Sequence, residues 1–402
     1  MIRTKLNEDW MCRAVFCLLA VFIAFLMALK GTAIHNIAAS LLVICLFILG
    51  LKFKRQVLYL PNKYFFLPYL LFAVGLILSA FLQGEPQNMK ATLHFLRMTI
   101  PFWLVFLAAK CIRLGQPMSN AFLLAGIIST VVGVKAYMDA AHWVDGRFFI
   151  ETNPNVTSHL LALPLPFLLL SVYNLRKSKI LCILAATVSL ALLAMLGMTH
   201  SRGGIIAFLA GGLLVAGYYA MIRWTRWSLK RTLVAGTILA IVFSFVLSVL
   251  TLQHFARHYD YERVYLAQSA FAMWKNHPLT GIGYTNWDRE YAPHYMLPDA
   301  KEPTLPHAHN DFLIFLSTTG TLGAVGYLAI SFGILFYLLQ NLYHCPREGL
   351  LWAMLWTYMA LHIHGLFDVG LQYSQAARIY FALLGLTLAV VENNVKHGCI
   401  VR

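Results

Sequence analysis

The sequence predicts an all-α, polytopic integral membrane protein with about 12 transmembrane helices and one large structured loop outside the cytoplasm. Of the 402 residues, 60% are hydrophobic and only 12% are charged, whereas soluble domains are about 45–50% apolar and about 25% charged. The apolar residues fall into long stretches, and a span needs about 20 of them. The basic residues fall mostly between these stretches, which is the ordinary topology signal of membrane proteins.

Twelve apolar stretches are predicted as membrane spans. They are 14–29, 34–51, 64–82, 93–109, 118–140, 156–173, 180–198, 203–222, 232–252, 312–341, 349–367 and 374–391. The tenth is too long for one straight span, and Gly320, Gly323 and Gly326 indicate a break, with a short re-entrant or packed helix before Gly320. Irregular backbone at membrane depth is tolerated only against protein or a water-filled cavity. We therefore expect a cavity beside His309.

The basic residues predict the orientation of the chain. Alternate loops carry clusters of Lys and Arg, and the positive-inside rule assigns those loops and both termini to the cytoplasm. The clusters are Arg3, Lys5 and Arg13; Lys52, Lys54, Arg55 and Lys63; Lys110 and Arg113; Arg176, Lys177 and Lys179; and Arg223, Arg226, Lys230 and Arg231. No small-residue cleavage site follows residues 14–29, so we interpret them as the first span rather than a signal peptide.

Three segments are predicted on the opposite face. They are residues 145–155, the short turn 199–204 and the loop 253–308. That loop divides the chain into spans one to nine (1–252), the loop itself (253–308) and spans ten to twelve (309–402). Connections usually have about 4–6 residues, and much longer loops are usually functional or disordered. Residues 259–275 have apolar residues at helical spacing, namely Val264, Phe271 and Trp274 with Leu266 and Ala267 alongside, so we expect a structured cap.

Arginines on this outer face need an explanation, because positive-inside topology selects against them there. They are Arg147, Arg202, Arg257, Arg263, Arg289 and Arg378. A guanidinium presents a planar fork of donors that suits phosphate. A cluster facing the outer leaflet could therefore hold a diphosphate attached to a lipid. The alternative is that these arginines bind ordinary headgroups or pair with Asp260, Glu262, Asp288 and Glu290.

His309 is the first candidate for a general base, because a histidine near its usual pKa of about 6.5 can accept a proton at neutral pH. His307, two residues earlier, is the second candidate. The alternative for His309 is a structural role at the start of the next helix, but Asn310 and Asp311 would serve equally well as caps. His364 and Asp368, four apart, would share a helix face. Such buried polar groups would suit a proton-coupled transporter, or they could equally form hydrogen bonds between helices.

Several short motifs follow one another in a characteristic order. They are Arg147 with Asn153-Pro154-Asn155; Ser201-Arg202-Gly203 opening a span; Glu262-Arg263 in the long loop; Pro278 to Gly283; and His309-Asn310 with Gly320 and Gly323. In this order the chain resembles the O-antigen ligases, also called lipid A-core:surface polymer ligases, which are related to the O-antigen polymerases. The resemblance is most specific from about residue 130 to residue 330.

The resemblance implies a glycosyltransferase in the cell inner membrane with a periplasmic active site. It would transfer an O-antigen chain from undecaprenyl diphosphate to the lipid A-core, with inversion and without metal, ATP or another cofactor. By position, His309 would be the base, and Arg202 and Arg263 would bind the diphosphate. Further substrate contacts are expected from Arg147, Asn155, Asn310, Arg289, His307 and Arg378. The expected partners are the two lipid-borne glycans and membrane lipids, with no nucleic acid.

The acceptor cannot be read from these motifs. O-antigen polymerases and protein O-oligosaccharyltransferases share the donor and differ in the acceptor, which is another glycan chain or a protein hydroxyl. The ligase is favoured because its overall pattern fits best. The proton-coupled transporter of a glycolipid stays the main alternative from another class.

Overall fold

The computed structural model describes residues 2–29, 32–224, 230–231, 234–235 and 258–396. In these ranges the regular structure is almost entirely helical, as predicted. The α-helices are α1 (Ile2–Met27), α2 (Thr32–Leu51), α3 (Lys63–Gln83), α4 (Pro86–Arg97), α5 (Ile100–Cys111), α6 (Ser119–Tyr137), α7 (Pro154–Ala162), α8 (Leu165–Asn174), α9 (Lys179–Met198), α10 (Arg202–Trp224), α11 (His258–Asn276), α12 (Trp287–Glu290), α13 (Asp311–His344), α14 (Gly349–His364) and α15 (Ser374–Lys396).

Short elements complete the secondary structure. A 3₁₀ turn spans Ala140–His142, and a π-helical turn spans Tyr291–Tyr295. Two strands of two residues, β1 (Trp143–Val144) and β2 (Arg147–Phe148), pair antiparallel.

Ten helical segments of the described residues are long and apolar enough to cross a membrane. They correspond to ten of the twelve predicted spans. The predicted ninth span, 232–252, lies outside the described residues except at positions 234 and 235, as do Arg226 and Arg257. The predicted eleventh span corresponds to α14, which has only 16 residues and is buried along most of its length. A helix packed inside the bundle is apolar without needing the full length of about 20 residues that a straight span requires.

Two of the predicted spans are split into pairs of shorter helices. The fourth is made of α4 and α5, and the sixth of α7 and α8. Each second helix begins beside a proline, Pro101 in α5 and Pro166 in α8. Proline lacks a backbone N–H and clashes with the preceding turn, so it breaks a helix interior but is tolerated in a first turn.

The long helix α13 is broken at Gly320, which confirms the predicted break. Gly320 has φ 64° and ψ −162°, far from helical values. The turn 278–283 of the long loop lies against the break and bonds the freed backbone groups: Ile282 N donates to Ser317 O (2.9 Å), Gly283 N to Thr318 O (3.0 Å) and Thr321 N to Pro278 O (2.9 Å). Non-helical backbone inside a bundle is tolerated when protein satisfies it in this way.

The remainder of α13 packs closely along α3. A Cβ at Gly326 would lie 2.8 Å from Phe72 Cα, so the two backbones approach as closely as glycine allows. Phe72 also contacts the ring of Phe315, at a centroid distance of 5.7 Å. This packing fixes the start of α13, where His309 and Asn310 lie.

The helix predicted over 259–275 is α11, but its buried face differs from the predicted spacing. Leu266, Ala270 and Met273 are fully buried, whereas Phe271 is 44% exposed. The segment after α11 folds back over it: Ser269 Oγ donates to Tyr295 O (2.6 Å), and Lys301 N donates to the Glu262 carboxylate (2.7 Å). The described part of the loop is therefore a folded cap, which also leads into the residues before α13.

Candidate active site

His309 lies in the last turn of the loop before α13, with its backbone in the left-handed region (φ 47°). The residue after it, Asn310, is the N-cap of α13: its side chain accepts a hydrogen bond from Leu313 N (2.9 Å) and donates to Leu366 O (3.2 Å). Helix capping therefore does not need His309, as expected. The His309 imidazole instead lies 3.2 Å from Asp368, measured from Nδ1 to Oδ1.

Asp368 is the residue that holds this imidazole. Its Oδ1 also accepts a hydrogen bond from Val369 N (2.8 Å), and its Oδ2 accepts one from Asn155 Nδ2 (3.2 Å). Burial alone would raise the pKa of Asp368, but the hydrogen bond from His309 and the neighbouring imidazoles outweigh it and lower the pKa below its usual value. Asp368 is therefore a carboxylate at neutral pH, and it favours the tautomer of His309 that carries its proton on Nδ1.

The expectation that His364 and Asp368 share a helix face is wrong. Helix α14 ends at His364, and the chain turns before Asp368, although Asp368 N still donates to His364 O (3.0 Å). The Asp368 carboxylate consequently faces His309 rather than following the axis of α14.

Asn155 connects Asp368 to two segments of the predicted outer face. Its Oδ1 accepts hydrogen bonds from Arg147 Nη2 (2.8 Å) and from Ser201 Oγ (3.0 Å). Arg147 also donates from Nε to Thr199 O (3.2 Å). The strand residue 147, the start of α7 and the turn 199–202 therefore meet at one amide.

The position of Asn155 is determined by the two residues before it, which start helix α7. Asn153 caps α7 by accepting a hydrogen bond from Val156 N (2.9 Å), and Pro154 occupies the first turn. This is the usual arrangement of an N-cap asparagine followed by proline. Asn155 is then the second helical residue, with its side chain directed at Arg147 and Asp368.

Two more guanidinium groups belong to the surroundings of this cluster. Arg202 is the exposed first residue of α10, and its charge acts on Arg147, whose pKa is lowered by burial and then by this neighbour. Arg263 is exposed on α11, and its charge acts on His364. The charges of Arg202 and Arg263 therefore act on Arg147 and His364, which are both connected to Asp368, Arg147 through Asn155 and His364 through its backbone carbonyl.

His307 packs directly against His309. The ring centroids are 4.4 Å apart in an edge-to-face arrangement, and His309 N donates to His307 Nδ1 (3.4 Å). Burial and the charge of His309 lower the pKa of His307 from 6.5 to about 4. His307 therefore stays neutral at physiological pH and acts as an acceptor toward the backbone that carries His309.

Two predicted substrate contacts lie elsewhere. Arg289 is 59% exposed and pairs with Glu290 (3.1 Å) and Glu85 (3.4 Å), which is the structural alternative considered for the outer arginines. Arg378 lies one turn into α15 and lines a separate pocket with Arg97. The side chains of Asn155 and Asn310 are both engaged in the hydrogen bonds described above.

Beneath the cluster lies a buried polar layer of His159, His364 and Asp311, of which the sequence singles out only His364 as a candidate functional residue inside a span. His159 and His364 are each 1% exposed and their rings are 4.5 Å apart. Within the described chain, none of their four ring nitrogens has a hydrogen-bond partner. Asp311 lies beside them and accepts a hydrogen bond from Gly370 N (2.9 Å). His159 could have been identified from the sequence, because it lies within the predicted span 156–173 and an ionisable residue inside an apolar span is unusual.

Nitrogen and oxygen atoms of His307, His309 and Asp368 lie within 4.8 Å of one another, close enough to be shared by a metal ion. Imidazole and carboxylate are common ligands of zinc. The Asp368 oxygen nearest His309 is, however, already a hydrogen-bond acceptor for that ring. The expectation of a metal-independent site stays a prediction, and it requires that chelation leave activity unchanged.

The arrangement has the chemistry of a general base. A carboxylate on Nδ1 leaves Nε2 of His309 as the proton acceptor and stabilises the imidazolium that forms, as in catalytic triads. The guanidinium group of Arg147, joined to Asp368 through Asn155, suits an anionic group nearby. A hydroxyl and a phosphate-bearing substrate are therefore the ligands that this site fits.

The comparison with known proteins agrees with this chemistry. Residues 186–328 match the family model described as O-antigen ligase. This range runs from α9 into α13 and contains Arg202, Arg263 and His309. No curated protein matches the chain. The matched segment makes this part of the chain similar to the O-antigen ligases, a family of glycosyl-transferring ligases and polymerases, and the helical membrane architecture agrees with that similarity.

Proposed function

We propose that the protein is an O-antigen ligase of the inner membrane, with its site on the periplasmic side. It would move the O-antigen chain from undecaprenyl diphosphate to a sugar hydroxyl of the lipid A-core and so complete lipopolysaccharide. The observation that carries the proposal is the His309 imidazole, held by Asp368, with Arg147 joined to the same carboxylate through Asn155. The charges of Arg202 and Arg263 act on the neighbouring Arg147 and His364.

His309 is the base in this proposal. Its Nε2 takes the proton from the acceptor hydroxyl while the oxygen attacks the anomeric carbon from the side opposite the leaving group. The bond between that carbon and the diphosphate oxygen breaks, and undecaprenyl diphosphate leaves with the electron pair. The configuration at the anomeric carbon is inverted. General base catalysis of this kind typically contributes about 10²–10⁴-fold in rate.

Arg202 and Arg263 act on the leaving group. Negative charge develops on the diphosphate as the bond breaks, and guanidinium groups already in place stabilise it without reorganisation, which is usually the largest catalytic contribution. Arg147, fixed by Asn155 and Thr199, adds positive charge from a more buried position. ATP is not required, because the diphosphate ester already supplies a good leaving group.

Complementation of a ligase-deficient strain tests the proposal. His309→Ala, Arg202→Ala and Arg263→Ala should each abolish long-chain lipopolysaccharide on gels while the protein reaches the membrane at wild-type level. His294→Ala, an exposed histidine of the same loop, is the matched control and should complement fully. Normal long-chain lipopolysaccharide from the His309→Ala strain would reject the assigned role of His309.

The form of the defect separates the ligase from its alternatives. Loss of a ligase leaves bare core, with the polymer retained on the carrier lipid. Loss of a polymerase leaves a single repeat on the core. A transporter would move substrate across liposome membranes without covalent transfer, and the engagement of Asp368 with His309 gives that function less support than the sequence did.

A further inference from the structure

A second polar feature lies in a pocket of about 330 Å³ between α1, α2, the α4–α5 junction and α15. It is lined by Phe22, Leu26, His35, Asn36, Ala39, Arg97, Ile100, Pro101, Leu104 and Arg378. Gln375, in the first turn of α15, donates to Ala28 O beyond the end of α1 (3.4 Å). The pocket therefore lies at the same end of the helical bundle as the loop that carries Asp368.

The pocket carries two guanidinium groups, and of the described residues that line it none is acidic. Arg378 is half-buried, and Arg97 is close enough for the two charges to repel each other. Arg97 has a hydrogen-bonding contact with His94 (3.1 Å). Arginine in a membrane helix is costly unless it meets water or an anion. An anion between the two guanidinium groups would remove both the repulsion and that cost.

Apart from His35 and Asn36, the remaining walls are apolar, and exposed apolar residues lie at their edge. Phe22 and Leu26 of α1 are buried on one side, and Ile100 at the start of α5 is 53% exposed beside the pocket. Ile37, the residue that follows Asn36 in α2, is 61% exposed. A small hydrated anion gains nothing from such walls, whereas the acyl or isoprenoid chain of a lipid buries apolar surface against them.

We propose that this pocket binds the phosphate of a membrane lipid headgroup. Arg97 and Arg378 hold the phosphate oxygens, and the apolar residues of α1 and α5 contact the first part of the lipid chain. The size fits, because small-molecule sites typically measure about 300–1,000 Å³. The site is separate from the His309 cluster and does not depend on the glycosyl transfer proposed above.

Binding of short-chain lipids to the purified full-length protein tests this site. The probes are dioctanoyl phosphatidylglycerol, dioctanoyl phosphatidylcholine and inorganic phosphate, each titrated by native mass spectrometry. We expect the wild type to bind phosphatidylglycerol at least 10-fold more tightly than phosphatidylcholine. Arg97→Gln with Arg378→Gln should remove that preference. Lys135→Gln, which removes an exposed charge at the C-terminal end of α6, should leave it unchanged.

Three results would overturn the proposal. They are equal binding of the two lipids by the wild type, an unchanged preference in the double variant, and inorganic phosphate binding as tightly as phosphatidylglycerol, which would make the ligand a free anion. Arg97→Lys with Arg378→Lys keeps both charges and should retain most of the preference. If the double glutamine variant does not fold, the lipid preference is measured instead on the double lysine variant and on the single glutamine variants. None of these measurements uses a glycan, so failure of the ligase proposal would not alter them.

Discussion

At the scale of single residues, the site depends on the contact between His309 and Asp368, which are 59 positions apart. The sequence identifies His309 by its place beside a broken helix, and Asn310 by its capping pattern. It does not identify Asp368 as the partner, because helical spacing puts that residue on the face of His364. The end of α14 at His364 redirects it, and only the folded chain shows this.

Asp368→Asn should reduce transfer by about 10²–10⁴-fold, the range lost with a general base, because an amide no longer favours the His309 tautomer that has its acceptor on Nε2. The measurement is the transfer rate against pH, with donor binding measured separately. Donor binding should stay within about threefold, since the Asp368 carboxylate accepts hydrogen bonds from Asn155 and the 369 backbone, contacts His309, and is not assigned to the diphosphate. Asp288→Asn, at an exposed acid of the cap, is the control. Equal loss of donor binding and rate would instead indicate a collapsed site.

His307 predicts a pH dependence of stability. Its pKa is 6.5 in the unfolded chain and about 4 when folded. The folded protein therefore resists a proton that the unfolded chain accepts. This contribution to stability is complete above pH 6.5, declines as the pH falls from 6.5 to about 4, and changes no further below that.

Melting temperatures of the purified protein between pH 7.5 and pH 5 measure this effect. Between pH 7.5 and pH 5, the melting temperature of the wild type should fall further than that of His307→Asn, by on the order of 2 °C. Parallel curves for the two proteins would show that His307 is not protected from protonation in the folded state.

At the scale of elements, α13 and the turn 278–283 form one unit. Three glycines in the predicted tenth span indicated a break, and the break is at Gly320. The sequence could not show which residues bond to the backbone at the break, because the 278–283 turn lies about 40 residues earlier in the chain and meets Gly320 only in the folded protein. The same limit explains α11, whose inward face follows the cap residues Tyr295 and Lys301 that fold over it rather than the spacing of its largest side chains.

Gly320→Ala should destabilise the protein by at least about 2 kcal/mol. Its backbone occupies a region that is almost exclusive to glycine, at a cost of roughly 1–3 kcal/mol for other residues, and the new Cβ would collide with the Leu279 carbonyl. Gly84→Ala is the matched control, because Gly84 also has positive φ (75°) but has open space around its Cβ position. Melting temperatures of both variants check this. An equal loss in the two would mean that the 278–283 turn does not press on Gly320.

At the scale of the whole molecule, composition predicts the class well, since the described chain is helical and has ten segments able to span a membrane. The count of about twelve stays a prediction, because α14 has only 16 residues and span 232–252 lies almost entirely outside the described residues. The lysine and arginine residues of the loops predict the orientation of the chain in the membrane. The His309 cluster lies at the end of the bundle opposite those basic loops.

A periplasmic site requires that orientation. Alkaline phosphatase fused after residue 300 should be active, because that enzyme folds only outside the cytoplasm, whereas the same enzyme fused after residue 177 should be inactive. Both fusions should be present in the membrane at similar levels. The reverse pattern would place His309 in the cytoplasm and remove the lipid-linked donor from its reach.

The most direct test of His309 as the general base is single-turnover transfer by the purified protein in liposomes, with an undecaprenyl-diphosphate-linked glycan already bound and lipid A-core added. His309→Ala should slow the transfer step by at least about 100-fold, while the affinity for the donor stays within about threefold of wild type. Transfer by His309→Ala at the wild-type rate would contradict this role.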